Sequence, residues 1–248
     1  MSLQEWRRVQ GKSFGVAAEA YERGRPPYPP EAIDWLVPQH ATRVLDVGAG
    51  TGKLTRQLRE RGLDVIAVEP SAGMRDQLRR TVPGVPVLGG SAEHIPLASG
   101  SVDAILVAQA WHWVEPSLAV PEAARVLRPG GRLGLMWNRR IEAVDWVAEL
   151  SSIMGSSRSP DAGRHSPQIP EPFGPVERFN VDWIHRLSPG EMIDWVASRS
   201  YVITLPDAQR ERVLDQVRRL LDGHPALADG DEIAIRMVTR CTRADLPG

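Results

Sequence analysis

The chain has little cysteine and lysine and almost no net charge. Cys241 is the only cysteine among 248 residues, which excludes an intramolecular disulfide, and no cysteine–histidine group has zinc-site spacing. We therefore expect no metal. The formal net charge is −1, so the composition gives no reason to expect nucleic acid or an anionic membrane as a partner. Lys12 and Lys53 are the only lysines, and we interpret the preference for arginine mainly as a coding bias.

Long hydrophobic runs are also absent. No segment approaches the roughly 18 consecutive apolar residues that would indicate a membrane-spanning helix. Residues 1–8 (MSLQEWRR) contain no apolar signal core, so we expect a cytoplasmic protein with no membrane partner. Hydrophobic residues make up 42% of the chain and charged residues 25%, as in ordinary globular proteins. A chain of this length can bury a sizeable core, and we predict a single domain over 1–248.

Short apolar runs alternate with helical patterns over residues 31–138. After a helix from Glu31, five strands are predicted, at 43–47, 64–68, 85–88, 102–108 and 132–137. The helix before the fifth strand is predicted to include Leu127 and to end at 129–131 (PGG). Strands separated by helices indicate a parallel α/β sheet, which would form the core of the domain.

Two segments look irregular. Residues 1–30 combine aromatic residues with four prolines near their end, which predicts an N-terminal arm closed by a rigid turn. Residues 155–175 are dense in serine, proline and glycine, which predicts a long surface loop or lid.

The remainder, residues 139–248, is expected to complete the sheet. Apolar and polar residues alternate over 179–183, which predicts a half-buried strand. Ser188 and Glu191 have capping-box spacing with proline between them, so a helix should begin there. A further helix over about 207–223 and a last strand near 233–237 follow, and Cys241 continues the buried face of that strand as a core thiol.

The strongest chemical signal is the segment 44–52 (VLDVGAGTG), in which a strand leads into glycines and then into a helix. Glycines let the backbone turn tightly and approach a ligand. A dinucleotide fingerprint would need glycine where Lys53 stands, and a Walker phosphate loop would need glycine at Val47 and a hydroxyl at Leu54. Both alternatives fail on residues that their chemistry requires. The remaining pattern, Asp-x-Gly-x-Gly-x-Gly, resembles motif I of the class I S-adenosylmethionine-dependent methyltransferases.

An acid at the end of the next strand fits the same interpretation. Glu69 comes 23 positions after Asp46, near the spacing expected for an acid that binds a ribose in this architecture. One carboxylate can accept hydrogen bonds from both ribose hydroxyls. Alone, an acid at this place would more often be a helix cap or a solvated charge.

The resemblance covers nearly the whole chain. Residues 89–97 (GGSAEHIPL) are similar to the adenine-contacting turn of the family, and 108–113 (AQAWHW) and 125–131 (RVLRPGG) match later motifs. Residues 21–29 (YERGRPPYP) and 137–140 (WNRR) look like a subgroup that contains trans-aconitate methyltransferase-like proteins. The resemblance implies a Rossmann-like seven-stranded, mostly parallel sheet with helices on both faces, an antiparallel last strand, and an N-terminal arm and insertions that cap the site.

The resemblance also implies the cofactor, S-adenosylmethionine, and its product, S-adenosylhomocysteine. Asp46, Gly48 and Gln109 would hold the methionine end, while Tyr21 and Arg25 would close over it. Arg25 is otherwise a surface charge. The implied cofactor-binding residues are Tyr21, Arg25, Asp46, Gly48, Ala49, Gly50, Glu69, Pro70, Met74, Ser91, Ala92, Glu93 and Gln109. Many relatives have aspartate where Ser91 stands, so a backbone contact from Ala92 is the firmer expectation.

The expected activity is methyl transfer to an oxygen, nitrogen or carbon atom of a small molecule. His112 is the candidate general base, or else a wall of the pocket. A carboxylate acceptor would need no base and would favour arginines such as Arg139, Arg140 or Arg199. A noncatalytic protein that binds the cofactor remains an alternative, as do a monomer and a homodimer. An RNA or protein methyltransferase is disfavoured by the neutral charge and by the lack of an Asn-Pro-Pro-Tyr-type motif at 109–112.

Overall fold

The computed structural model describes residues 24–154, 167–203, 205–227 and 231–248. Seven strands form one sheet in the order β3-β2-β1-β4-β5-β7-β6. Their bounds are β1 Arg43–Val47, β2 Asp64–Val68, β3 Val87–Leu88, β4 Val102–Ala108, β5 Leu127–Arg140, β6 Glu177–Leu187 and β7 Ile233–Asp245. The helices are α1 Pro30–Leu36, α2 Lys53–Glu60, α3 Ala72–Thr81, α4 Pro116–Val126, α5 Asp145–Ile153, α6 Pro189–Ala197, α7 Ser200–Ile203 and α8 Asp207–Gly223.

The strands β1 to β5 pair in parallel, as the alternation of strands and helices predicts. β1 lies between β2 and β4, and β5 pairs with the other side of β4. β7 is antiparallel to both β5 and β6. The predicted Rossmann-like, mostly parallel sheet with an antiparallel last strand is therefore confirmed.

Both faces of the central strands are buried. Along β4, Ile105 and Val107 pack in one hydrophobic cluster, while Ala104 and Leu106 pack in another. Helix α4 covers the first of these faces, and α1 and α2 cover the second. A parallel strand that helices cover on both faces needs an unbroken run of apolar residues. This run is why β4 could be predicted from the sequence.

The start of β5 corrects the prediction for the preceding helix. Helix α4 ends at Val126, and Leu127 already pairs with Val102 in the sheet. The next pair is Ala104 with Arg132, so residues 128–131 form an irregularity in the strand. Gly130 has φ +74° there, a conformation that favours glycine. The PGG segment therefore interrupts a strand and does not end a helix.

The chain divides into two compact units. The larger contains Pro27–Asn138, Ser166–Val181 and Thr239–Gly248, and the smaller contains Met1–Pro26, Arg139–His165 and Asp182–Val238. The single domain and the boundaries of the arm, core and C-terminal part remain predictions, and residues 1–23 of the arm lie outside the described residues.

Part of the predicted surface loop at 155–175 is buried in the larger unit, which corrects that prediction. Residues 155–166 lie outside the described residues. In the rest, Ile169 and Phe173 are only 5% and 6% exposed and pack in the same cluster as β4. The two apolar side chains anchor an irregular segment to the core, although the composition around them is that of a solvated loop.

The smaller unit has its own hydrophobic core, which contains Trp146, Leu150, Trp195 and Val217. Helix α6 begins with the predicted capping box, in which the side chains of Ser188 and Glu191 exchange hydrogen bonds with each other's backbone amides. The predicted helix α8 is also present.

Two features are absent from the part of the chain that the structure describes. There, no helix is long and apolar enough to cross a membrane. The same residues contain no group of three or more histidine, cysteine, aspartate or glutamate side chains suited to a metal ion. The cytoplasmic location remains a prediction.

Candidate functional site

The turn between β1 and α2 is built by three glycines with positive φ. Gly48, Gly50 and Gly52 have φ values of +69°, +57° and +96°. The amides of Gly48 and Ala49 both donate to the carbonyl of Val68, at 2.8 and 3.2 Å, which ties the turn to the end of β2. The turn therefore favours glycine at these three positions because their φ values are positive, as the motif predicts.

Gly48 also lies against the segment that follows β4. A β-carbon placed on Gly48 would be 2.7 Å from the β-carbon of Ala110. Such a separation is closer than van der Waals contact allows, so a side chain at position 48 would force the two segments apart. The two turns form one narrow edge of the larger unit, beyond the carboxyl ends of β1 and β4.

Glu69 follows β2 at the same edge and is only 7% exposed. One carboxylate oxygen accepts the amide of Gly50 at 3.0 Å, and the other accepts the amide of Ser71 at 2.8 Å. Burial raises the pKa of Glu69, while the two amides and the Arg75 guanidinium oppose the rise. Each oxygen keeps further acceptor capacity, because a carboxylate has about four lone-pair sites.

Asp46 is the most deeply buried acid of the site. The Thr55 hydroxyl donates to its Oδ2 at 2.6 Å, whereas its Oδ1 is buried with no hydrogen-bond partner among the described residues. Burial raises the pKa of Asp46 to about 7, and the nearby charge of Glu69 adds to the rise. An orphaned buried oxygen is costly, so this atom is a candidate point for an interaction with a ligand.

Gln109 follows β4 with φ +58°, and it is the only residue other than glycine with positive φ in the described chain. Its amide donates to Met136 at 2.9 Å, and its side-chain nitrogen donates to the carbonyl of Asn138 at 3.3 Å. The Asn138 side chain is itself held by Thr239 and by the carbonyl of Pro27. A left-handed conformation in glutamine costs energy and occurs where the surroundings enforce it, often at functional sites.

The segment after β3 contributes the remaining predicted contacts. Ser91 and His94 exchange backbone hydrogen bonds at 3.1 Å, which fixes a tight turn with Ala92 buried inside it. The Glu93 carboxylate accepts the amide of Glu115 at 2.8 Å, so it also caps the start of α4. Met74 is buried on α3, whereas Pro70 is exposed.

The structure therefore brings most predicted cofactor residues to one edge of the larger unit, where β1, β2, β3 and β4 end. Two are not placed there. Tyr21 lies outside the described residues. Arg25 belongs to the smaller unit, where its guanidinium donates to the carbonyl of Ser198 at 3.0 Å. Their roles over the cofactor remain predictions.

His112 lies on a single 3-10 turn, Trp111–Trp113, shortly after β4. Its side chain is exposed, and its ring lies 4.7 Å from the ring of Trp113. Trp111 is buried in the core of the larger unit, which anchors the turn. The structure is compatible with both roles predicted for His112, a base and a pocket wall.

Sequence reasoning missed three side chains that complete the site, namely Thr55, Arg75 and Ala110. Thr55 supplies the hydroxyl for Asp46 from the buried face of α2, between Leu54 and Leu58. A hydroxyl residue on the apolar face of that helix could have indicated a buried polar partner. Arg75 donates to the carbonyls of Glu69 and Pro70 and carried no comparable signal.

Comparisons with known proteins indicate a family of methyltransferases. Residues 45–135 match the model of a family described as methyltransferase domain. An uncharacterized methyltransferase of Mycobacterium tuberculosis (strain H37Rv) is 58% identical over 240 residues, which cover 97% of this chain and 98% of that protein. An uncharacterized methyltransferase-like protein of Schizosaccharomyces pombe is 32% identical over 234 residues, 90% of this chain and 91% of its own length.

A similar solved structure is that of a candidate type II methyltransferase from Anaeromyxobacter dehalogenans. It is 25% identical, has a TM-score of 0.66, and the match covers 90% of this chain and 99% of that one. The relatives thus resemble this chain over almost its whole length, including both units.

Proposed function

Because this chain belongs to the class I S-adenosylmethionine-dependent methyltransferases, we propose that it binds that cofactor at the β1–α2 turn and methylates a small molecule. The observation that carries the proposal is the carboxylate of Glu69, buried beside the amide of Gly50 at 3.0 Å. A buried acid that keeps acceptor capacity next to a bare glycine turn suits a ribose whose two hydroxyls need acceptors.

The residues of the site fit the cofactor. Gly48 and Gly50 have no side chain and take positive φ values, so the backbone of 48–50 can approach a ligand closely. The orphaned Oδ1 of Asp46 offers a buried acceptor near the methionine end. The backbone of Gln109 would hold the same end, and the turn around Ala92 would face the adenine. Pro70, Met74, Ser91 and Glu93 would line the nucleoside.

The protein has to supply placement more than chemistry. The bound sulfonium supplies an already activated methyl group. Holding an acceptor atom about 3–3.5 Å from it, in line, can lower the barrier by about 7–11 kcal/mol. Rigid backbone at Gly48 and Gln109 suits this task, because their positive-φ conformations are fixed by hydrogen bonds to β2 and β5.

The acceptor decides whether a base is needed. An oxygen, nitrogen or carbon atom that is protonated near pH 7 would need proton removal, for which His112 is the candidate. General base catalysis typically contributes about 10²–10⁴-fold. An ionised carboxylate acceptor would leave His112 as a wall of the pocket.

Isothermal titration calorimetry with S-adenosylmethionine and S-adenosylhomocysteine tests the proposed cofactor. We expect both to bind one site per chain, and undetectable binding of both to folded protein would contradict the proposal. Release of S-adenosylhomocysteine in the presence of acceptor panels then separates an enzyme from a noncatalytic binder, since a binder would take up both compounds and turn over neither.

A further inference from the structure

Asn138, near the carboxyl end of β5, joins three other segments of the larger unit. Its side-chain nitrogen donates to the carbonyl of Pro27 at 2.9 Å, and its Oδ1 accepts the hydroxyl of Thr239 at 2.6 Å. Its backbone carbonyl accepts the side-chain nitrogen of Gln109 at 3.3 Å. One residue therefore ties the segment before α1, the strand β7 and the turn after β4 to the end of β5.

The side-chain contacts of Asn138 require an amide. One end of the group donates and the other accepts, so the two contacts together determine its orientation. Thr239 is fully buried, and a buried hydroxyl is costly unless it is hydrogen-bonded. Aspartate would place an oxygen against the carbonyl of Pro27, and leucine would satisfy neither partner. Asparagine is therefore favoured at this position by its neighbours and not by the strand alone.

Gln109 depends on β5 for its unusual backbone. Its φ is +58°, a left-handed conformation that costs a glutamine energy and persists only where the surroundings enforce it. Its amide donates to the carbonyl of Met136 at 2.9 Å, and its side chain donates to the carbonyl of Asn138. Both acceptors lie on β5, so the backbone and the side chain of Gln109 are attached to the same strand. These two hydrogen bonds supply the contacts that the conformation needs.

Gln109 lies at only one end of the proposed cofactor site. Its neighbour Ala110 packs against Gly48, on the side that would hold the methionine end of the cofactor. The ribose acid Glu69 follows β2 and is held by the amides of Gly50 and Ser71, with no hydrogen bond to β5. A displacement of Gln109 would therefore disturb the methionine end and leave the ribose contact in place.

We propose that Asn138 is a positioning residue for the methionine end of the cofactor. It holds Gln109 in the left-handed conformation and acts through that residue alone. The bonds to Pro27 and Thr239 fix the end of β5, and the carbonyl of Asn138 passes this restraint to the side chain of Gln109. All four residues belong to the larger unit. The inference rests on the proposed function, because it assigns a role in the same cofactor site.

Calorimetry with two compounds tests the role of Asn138. S-adenosylhomocysteine has the complete methionine end, whereas methylthioadenosine shares its adenine, ribose and sulfur but lacks the amino-acid group. Asn138→Ala should weaken S-adenosylhomocysteine binding by about fivefold or more, as expected for one or two lost neutral hydrogen bonds, and methylthioadenosine binding by less than about twofold. Asn180→Ala, the same change at an exposed position on β6 of the same unit, should alter neither. Equal losses for both compounds would indicate general destabilisation and overturn the proposal.

Variants of Thr239 test the same restraint without changing Asn138. Thr239→Val keeps the shape of the side chain and removes the hydroxyl that donates to the Asn138 Oδ1. It should reproduce part of the loss for S-adenosylhomocysteine and spare methylthioadenosine, whereas Thr239→Ser, which keeps the hydroxyl, should bind both like wild type. Thermal unfolding confirms that each variant is folded. Serine and valine variants with the same affinities would show that the hydroxyl contact has no role.

A double variant tests whether Asn138 acts through Gln109. Gln109→Met removes the side-chain donor to Asn138 and keeps the length of the side chain. Once that bond is gone, adding Asn138→Ala should weaken S-adenosylhomocysteine binding no further, whereas independent roles would multiply the two losses and overturn the proposal. Wild-type protein that binds neither compound would overturn the proposed function and this inference with it. Wild-type binding that folded Asn138→Ala retains would overturn this inference alone.

Discussion

Gly48 and Ala110 face each other so closely that a β-carbon on Gly48 would lie 2.7 Å from the β-carbon of Ala110. These residues belong to the turns that follow β1 and β4, which are neighbours in the sheet. The contact joins the glycine turn to the segment that carries Gln109 and His112. Its tightness therefore bears on both the cofactor and the acceptor sides of the proposed reaction.

Substitution of Gly48 by alanine should impair both stability and binding. The left-handed conformation costs alanine about 1–2 kcal/mol, and overpacking typically adds about 1–3 kcal/mol. We expect Gly48→Ala to lower the free energy of unfolding, measured in urea, and to weaken the binding of S-adenosylhomocysteine. Gly62→Ala is the control, since Gly62 has φ +78° but no atom within 4 Å of an added β-carbon. If both variants behave alike, or if adding Ala110→Gly to Gly48→Ala restores nothing, the close approach is irrelevant.

Replacement of Glu69 by glutamine tests the ribose assignment. The charge and one acceptor oxygen are lost, and a hydrogen bond to a charged group contributes about 1.5–3 kcal/mol, so affinity for S-adenosylhomocysteine should fall by about tenfold or more. Glutamine preserves the size of the side chain, which limits damage to the amide contacts with Gly50 and Ser71. Glu60→Gln, at an exposed position at the end of α2, should leave affinity unchanged. A folded Glu69→Gln protein with wild-type affinity would rule out the assignment.

Much of the architecture could be predicted because the parallel strands are apolar, and because β1 is followed by glycine and β2 by an acid. β1, β2 and β4 were predicted at the residues where they occur. The start of β5 could not be, because Leu127 fits the helical spacing of α4, and only its pairing with Val102 places it in the sheet. The burial of Ile169 and Phe173 could not be predicted either, because two apolar residues in an irregular segment show no hydrophobic periodicity.

The residues of the site also fall into those that the sequence predicts and those that it does not. Glu69 and the glycine turn were predictable because one strand–turn–helix unit fixes their spacing. Thr55 and Ala110 were not, because their importance comes from contacts with Asp46 and Gly48 across the fold. Arg140 was named from the sequence as an option for a carboxylate, but its partners Ser151 and Trp195 required coordinates.

The buried acid Asp46 should make stability depend on pH. Its pKa is about 7 in the folded protein and near 3.9 in an unfolded chain. Between these values the folded state keeps a proton that the unfolded state releases, so the free energy of unfolding should fall as pH rises from about 4 to about 7. Relative to Asp46→Asn, wild type should lose on the order of 2–4 kcal/mol across this window.

Urea unfolding at successive pH values measures this loss. Thr55→Val should extend the window to higher pH, because the Thr55 hydroxyl favours the charged carboxylate and its loss raises the pKa of Asp46 in the folded protein only. A wild-type minus Asp46→Asn difference that stays flat or rises with pH would contradict the interpretation.

The single cysteine should be inert in the folded protein. Cys241 is 1% exposed, and burial raises the pKa of its thiol to about 12. Thiolate is the reactive form, so a disulfide reagent at pH 8 should label almost none of the native chain and one thiol per chain in denaturant. Rapid labelling without unfolding would show that β7 opens locally. Ser152→Cys, at an exposed position on α5, serves as a positive control that should react in the native state.

His112 distinguishes the two kinds of acceptor. It is exposed on the turn after β4, and its ring is tilted against that of Trp113, so its removal should leave S-adenosylhomocysteine affinity nearly unchanged. If the acceptor atom is an ionised carboxylate, no proton has to be removed. His112→Ala should then reduce the methyl-transfer rate by less than about tenfold, below the roughly 10²–10⁴-fold typical of a lost general base. The exposed His40→Ala variant should match wild type in both measurements.

A fall in rate of about a hundredfold or more at unchanged cofactor affinity would identify His112 as a base and would require an acceptor that is protonated near pH 7. A large loss of cofactor affinity would instead place His112 in the cofactor site.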